Sequence, residues 1–72
     1  MNNNFKIAKE AVELFGENAF YSITINTYGV TLQGKFNPSI IQRCKQDDYL
    51  LAFDDNGYVN ITKENITITL TQ

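Results

Sequence analysis

Four aspartates bracket one short apolar run: Asp47-Asp48 precede Tyr49-Leu50-Leu51-Ala52-Phe53, and Asp54-Asp55 follow it. Paired carboxylates are the residue types that general acid–base hydrolysis of a glycosidic bond uses. That chemistry needs a cleft able to hold a sugar ring, and a chain of 72 residues leaves little concavity. These are expected to be solvated loop carboxylates. Asp54-Asp55-Asn56-Gly57 carries part of the oxygen-ligand pattern of a calcium loop. It lacks the further ligands and the closing bidentate Glu, so it reads as a turn.

Cys44 is the only thiol, and the chain has no histidine. A nucleophilic cysteine usually takes its activation from a neighbouring base, so a buried structural thiol is expected. Tyr21, Tyr28, Tyr49 and Tyr58 have rings that could stack bases, as in single-strand binders. Only Tyr28 and Tyr58 are predicted to face outward. With Lys35 and Lys63 they define the alternative reading, a weak single-stranded nucleic-acid binder whose affinity would fall steeply with salt. No catalytic, cofactor-binding or metal-ligating residue is assigned, and a non-enzymatic protein is expected.

The elements that must position these residues follow from periodicity. Phe5, Ala8, Val12 and Phe15, with Ala11 beside them and Ile7 and Leu14 widening the stripe, predict an amphipathic helix over 4–15. Asn3 or Asn4 can cap its start and Gly16 its end. Two strands follow, over 20–27 and 30–36. A turn at Tyr28-Gly29 would set Tyr21, Ile23, Ile25 and Thr27 against Phe36, Gly34, Leu32 and Val30. Asn37-Pro38 is a helix start, and the helix to Gln46 directs Ile40, Ile41 and Cys44 inward.

Three more strands are predicted over 49–54, 58–62 and 66–71. A three-residue loop with Gly57 left-handed pairs Phe53 with Val59 and Leu51 with Ile61, keeping apolar residues on one face. The turn at Glu64-Asn65 likewise pairs Ile61 with Ile68 and Val59 with Leu70. The fold class is therefore α+β in the order α-β-β-α-β-β-β. Its sheet should have five strands, be largely antiparallel, and carry two helices packed on one face. Residues 1–72 form a single domain, with residues 1–3 expected to fray.

Composition excludes several partners. The net charge is −2, and six scattered basic residues form no electropositive stripe for nucleic acid. Eight carboxylates are too few and too dispersed to imitate a phosphate ladder. No stretch approaches the length of a membrane span, and Met1-Asn2-Asn3-Asn4 lacks the basic and apolar regions of a secretion signal. A cytoplasmic protein is expected, and the Asn/Ile/Thr-rich composition suits an accessory protein of an AT-rich bacterium or its phage. The Asn60-Ile61-Thr62 and Asn65-Ile66-Thr67 sequons then read as strand and turn.

A core this small usually needs a disulfide, a metal or a partner subunit. One cysteine without histidine supplies neither of the first two, which leaves oligomerisation or the packing of five Phe and four Tyr. A homodimer is expected. Its surface would be the outer sheet face, on which Ser22, Thr24, Asn26, Thr31, Gln33, Leu50, Ala52, Tyr58, Asn60, Thr62, Thr67 and Thr69 stand with Lys35 near one end. Leu50, Ala52, Tyr58, Asn60, Thr67 and Thr69 are the candidate interaction residues for a second copy or a protein partner. The unbroken Ile66–Thr71 strand has no Pro, Lys or bulge to guard it. It is the other candidate, as an open edge that Ile68→Pro would block.

Overall fold

Helix, hairpin, helix and three-stranded meander follow one another in the computed structural model, which describes residues 3–16 and 18–71. The elements are α1 (Asn4–Phe15), β1 (Ser22–Asn26), β2 (Gly29–Lys35), α2 (Pro38–Gln46), β3 (Leu50–Phe53), β4 (Val59–Lys63) and β5 (Ile66–Thr71). The expected fraying of 1–3 falls largely on residues 1 and 2, outside the described residues.

The five strands form one mixed sheet in the order β1-β2-β5-β4-β3, antiparallel except for the β2–β5 pair. A parallel pair needs a long connection, and α2 with the β3–β4 hairpin supplies it. The expectation of an open last strand is thereby overturned. β5 lies in the middle, bonded to β2 on one side and β4 on the other, and the edges are β1 and β3. Inserting β5 between the two hairpins places its Ile66, Ile68 and Leu70 beside Val30, Leu32 and Gly34 of β2 and Lys63, Ile61 and Val59 of β4. That is the position of greatest apolar burial for the most regular strand in the chain.

The β3–β4 and β4–β5 registers are those the alternation predicts. At the first of these turns Gly57 is left-handed (φ 88°). The Asp54 carboxylate accepts from the N–H groups of Asn56 at 2.8 Å and Tyr58 at 3.2 Å. This acidic residue is therefore turn hardware.

The β1–β2 register differs from expectation by two residues: Ile25 pairs with Val30, Ile23 with Leu32, and Asn26 closes the hairpin against Gly29. The cause is local. The Asn26 side-chain oxygen accepts from the N–H of Tyr28 (2.8 Å) and of Gly29 (3.1 Å), pinning a turn one step earlier than Tyr28-Gly29. A two-residue shift keeps every side chain on its face, so the facial division survives. It breaks only before β1. There Phe20 meets Phe15 edge-on (centroids 5.9 Å apart), whereas the hydroxyl of Tyr21 lies 3.4 Å from that of Thr71 on the outer face.

Val30, Leu32, Val59, Ile61, Ile68 and Leu70 share one buried cluster with Ala8 and Ala11 of α1 and Ile40 and Cys44 of α2. The Asn37 side chain caps α2 by accepting from the Ser39 N–H at 2.9 Å, with Pro38 next, as the sequence implies. Asn3 stands at the cap of α1 but makes no side-chain cap bond. Asn4 is instead buried, donating to the carbonyls of Asn26 (2.7 Å) and Thr27 (3.4 Å), and so fastens α1 to the end of β1.

Candidate interaction surface

The outer face is assembled from all five strands in matching rows. Ser22, Gln33, Thr69, Asn60 and Ala52 form one row; Thr24, Thr31, Thr67, Thr62 and Leu50 form the next. Four strands thus present hydroxyls and amides side by side, β3 adds Ala52 and Leu50, and Lys35 stands beside Thr71 at one end. The Thr69 hydroxyl donates to the Asn60 side-chain oxygen at 3.2 Å, and cross-strand pairs of this kind hold such a face together. Leu50, Ala52, Asn60, Thr67 and Thr69 lie together on β3, β4 and β5, with Tyr58 at the entry to β4. Leu50 is 74% exposed there.

Sequence reasoning missed a second surface. Phe5 was placed in the core stripe, and Ile23 and Ile25 on the core face, yet Phe5 is 72% exposed and the two isoleucines are 43% and 40% exposed. The reason is coverage. α1 packs against β1 and β2 alike, so Ile23 and Ile25 on the edge strand are only partly covered. Phe5, Ala8, Val12, Ile23 and Ile25 line a shallow groove of about 510 Å³, rimmed by Lys9 and Glu13. The opposite edge repeats the exposure in Phe53, at 67%. The available signal was strand position: apolar residues on an edge strand are only half covered, and the sheet order was not legible.

The other candidate chemistry does not converge. Among the described residues no three His, Cys, Asp or Glu side chains come together as a metal site. Lys63, named with Tyr28, Tyr58 and Lys35 for nucleic acid, pairs with Ile66 and so faces the apolar side. Its ammonium donates to the Asp47 carbonyl at 2.7 Å and sits 5.2 Å from the centre of the Tyr49 ring. Asp47 also meets Arg43 at 3.5 Å, one turn back along α2. Neither charge is left as a free recognition element.

Cys44 is buried in the core beneath this cluster. Burial, and secondarily the negative charge of Asp47, push its thiol up to about 11. Burial raises the Tyr49 phenol as well. Both groups favour their protonated forms in the fold. The stability this contributes is complete below the unfolded thiol's value and is lost as pH rises through about 11. We expect alkaline titration from pH ~9 to ~11 to cost on the order of 2 kcal/mol through Cys44. Denaturant melts of wild type and Cys44→Ala across that range would check it; the substitution should flatten the slope. A thiol reagent at neutral pH should leave Cys44 unmodified until the chain unfolds.

Fold and surface together define a small α+β protein with a five-stranded mixed sheet. Compared with known proteins, the chain matches no family model, no curated protein and no solved structure. Among the described residues no helix is long and apolar enough to cross a membrane.

Proposed function

We propose that the protein is a small, non-enzymatic interaction protein that self-associates and offers its uncharged outer face to a protein partner. The observation that carries this reading is the uncovered apolar margin along β1, where Phe5, Ile23 and Ile25 adjoin an unpaired strand edge. Soluble monomers usually guard such an edge with a charge, a proline or a bulge, and Ser22–Asn26 carries neither charge nor proline. The extent of surface supports the same reading. The chain exposes 5051 Å² at 8.2 kDa, about a tenth more than the ~4,500 Å² typical of a monomer of that mass.

The neutral hydroxyl and amide rows fit contact with another protein better than contact with phosphate, which would call for clustered cations. A reducing, cytoplasmic setting suits the single unpaired Cys44. Light scattering coupled to size exclusion, at several concentrations, tests self-association. The expected mass is twice that of one chain. A single-chain mass at every concentration would overturn the reading.

A further inference from the structure

We infer that the occupant of the β1 edge is a second copy of this chain, paired antiparallel through β1 on a twofold axis at Thr24. The inference rests on the self-association proposed above and names its geometry.

Backbone direction comes first. The Val30 N–H donates to the Asn65 carbonyl at 2.8 Å, so Val30 and its alternates in β2 bond toward β5. Gly29, Thr31 and Gln33 therefore turn their backbone groups toward β1. Their partners there are Asn26, Thr24 and Ser22. The N–H and C=O groups of Ile23 and Ile25 are left pointing out of the sheet at its open edge.

Side-chain pattern comes second. Ser22-Ile23-Thr24-Ile25-Asn26 reads polar, Ile, Thr, Ile, polar in both directions. A twofold at Thr24 sets Ile23 opposite Ile25 of the second copy, twice. Those residues own the free backbone groups, so four hydrogen bonds close the junction. Ser22 meets Asn26 and Thr24 meets itself on the outer face. The four isoleucines meet on the apolar face, alongside the two grooves that carry Phe5 and Val12. The pairing is isologous and closes as a dimer with a continuous ten-stranded sheet.

The other edge fails the same test. Pairing β3 with itself about Leu51 keeps its apolar faces together, but the strand is only four residues long, and the pairing brings the aspartates beyond each of its ends, Asp48 and Asp54, toward those of the second copy. Like charges gathered at such a junction are destabilising. The aspartates flanking β3 thus guard it against self-pairing. Joining β1 to β3 would build an open-ended array in place of a dimer.

Disulfide trapping separates this geometry from self-association in general. At a twofold on Thr24 the two Cα atoms form a non-hydrogen-bonded pair roughly 4.5 Å apart, within disulfide range. The two Ser22 positions stand four residues apart along the strands, roughly 14 Å, and cannot be bridged. Under mild oxidation Thr24→Cys should therefore run mainly as a covalent dimer. Ser22→Cys should give no covalent dimer above background, and wild type, with its thiol buried, none. A wild-type dimer in which Thr24→Cys fails to cross-link, or Ser22→Cys cross-links as well, would overturn the β1 geometry while self-association stands. A wild-type monomer would overturn both.

Ile23→Pro supplies a second test. It deletes an edge-facing N–H and spares the β1–β2 ladder. We expect a monomer with the wild-type far-ultraviolet spectrum; a folded dimer would overturn the proposal. Should that variant not fold, the two cysteine variants decide the question by themselves.

Discussion

Ile68→Pro is expected to unfold the protein. Had its N–H faced an open edge, Ile68 could have lost it with little consequence beyond blocked pairing. In the structure it sits on the middle strand of five, fully buried, between Leu32 and Ile61. Because the β5 backbone groups at 65, 67, 69 and 71 serve β2, the Ile68 N–H is directed at β4. Proline removes that donor from a ladder in which it has no solvent to fall back on. It also replaces a buried Ile with a smaller ring, and losing such a side chain alone costs about 2–5 kcal/mol.

A chain of 72 residues has on the order of 4–11 kcal/mol of total stability. The combined loss consumes most or all of it. Circular dichroism and a thermal melt would check this, with no cooperative transition expected. A native-like melt for Ile68→Pro would contradict the central placement of β5. The contrast with Ile23→Pro is informative, since the same chemical change is expected to be tolerated at an edge and ruinous in the middle.

Gly29→Ala should be strongly damaging for so small a change, because Gly29 is buried at the start of β2. A Cβ at Gly29 would run into the backbone carbonyl oxygen of Asn65, and it would stand 3.3 Å from that carbonyl carbon. The same carbonyl accepts the Val30 N–H at 2.8 Å, the first bond of the β2–β5 pair. The carbonyl cannot yield without opening the one parallel junction that joins the two hairpins. Overpacking against rigid backbone costs about 1–3 kcal/mol or somewhat more. The value expected here lies at the top of that range, with a midpoint shift of roughly 10–20 °C for so small a domain. Gly16→Ala is the control. Nothing lies within 4 Å of its added Cβ, so only the backbone conformation opposes it, φ 98° with ψ 144°, at about 1–3 kcal/mol. A Gly29→Ala variant as stable as wild type would show that close approach to Asn65 does not constrain this position.

Much of this architecture is legible in local chemistry. The stripe of α1, the Asn37-Pro38 start of α2, the left-handed Gly57 and the alternation of β3, β4 and β5 each depend on neighbours within a few residues. So does the division of the sheet into a dry face and a hydroxyl-bearing one, because side-chain direction alternates along any strand whatever its partner. The Asn26 turn lies one step earlier than periodicity suggests, which shifts the β1–β2 register by two residues. Its deciding feature is a side-chain oxygen competing for two backbone N–H groups, which periodicity does not report.

What the residues alone determined was the set of elements and their faces. Which strand would stand in the middle was decided only in three dimensions. Ile66–Thr71 could pair with β4 alone and remain an edge, or slide between the hairpins and bury both flanks; both satisfy its alternation equally. The second outcome wins because it covers Ile68 and Leu70 completely. That same choice sends Ser22–Asn26 to the margin. There, two isoleucines written as core residues become half-exposed, because burial depends on what lies beside a strand and not on the strand's own sequence.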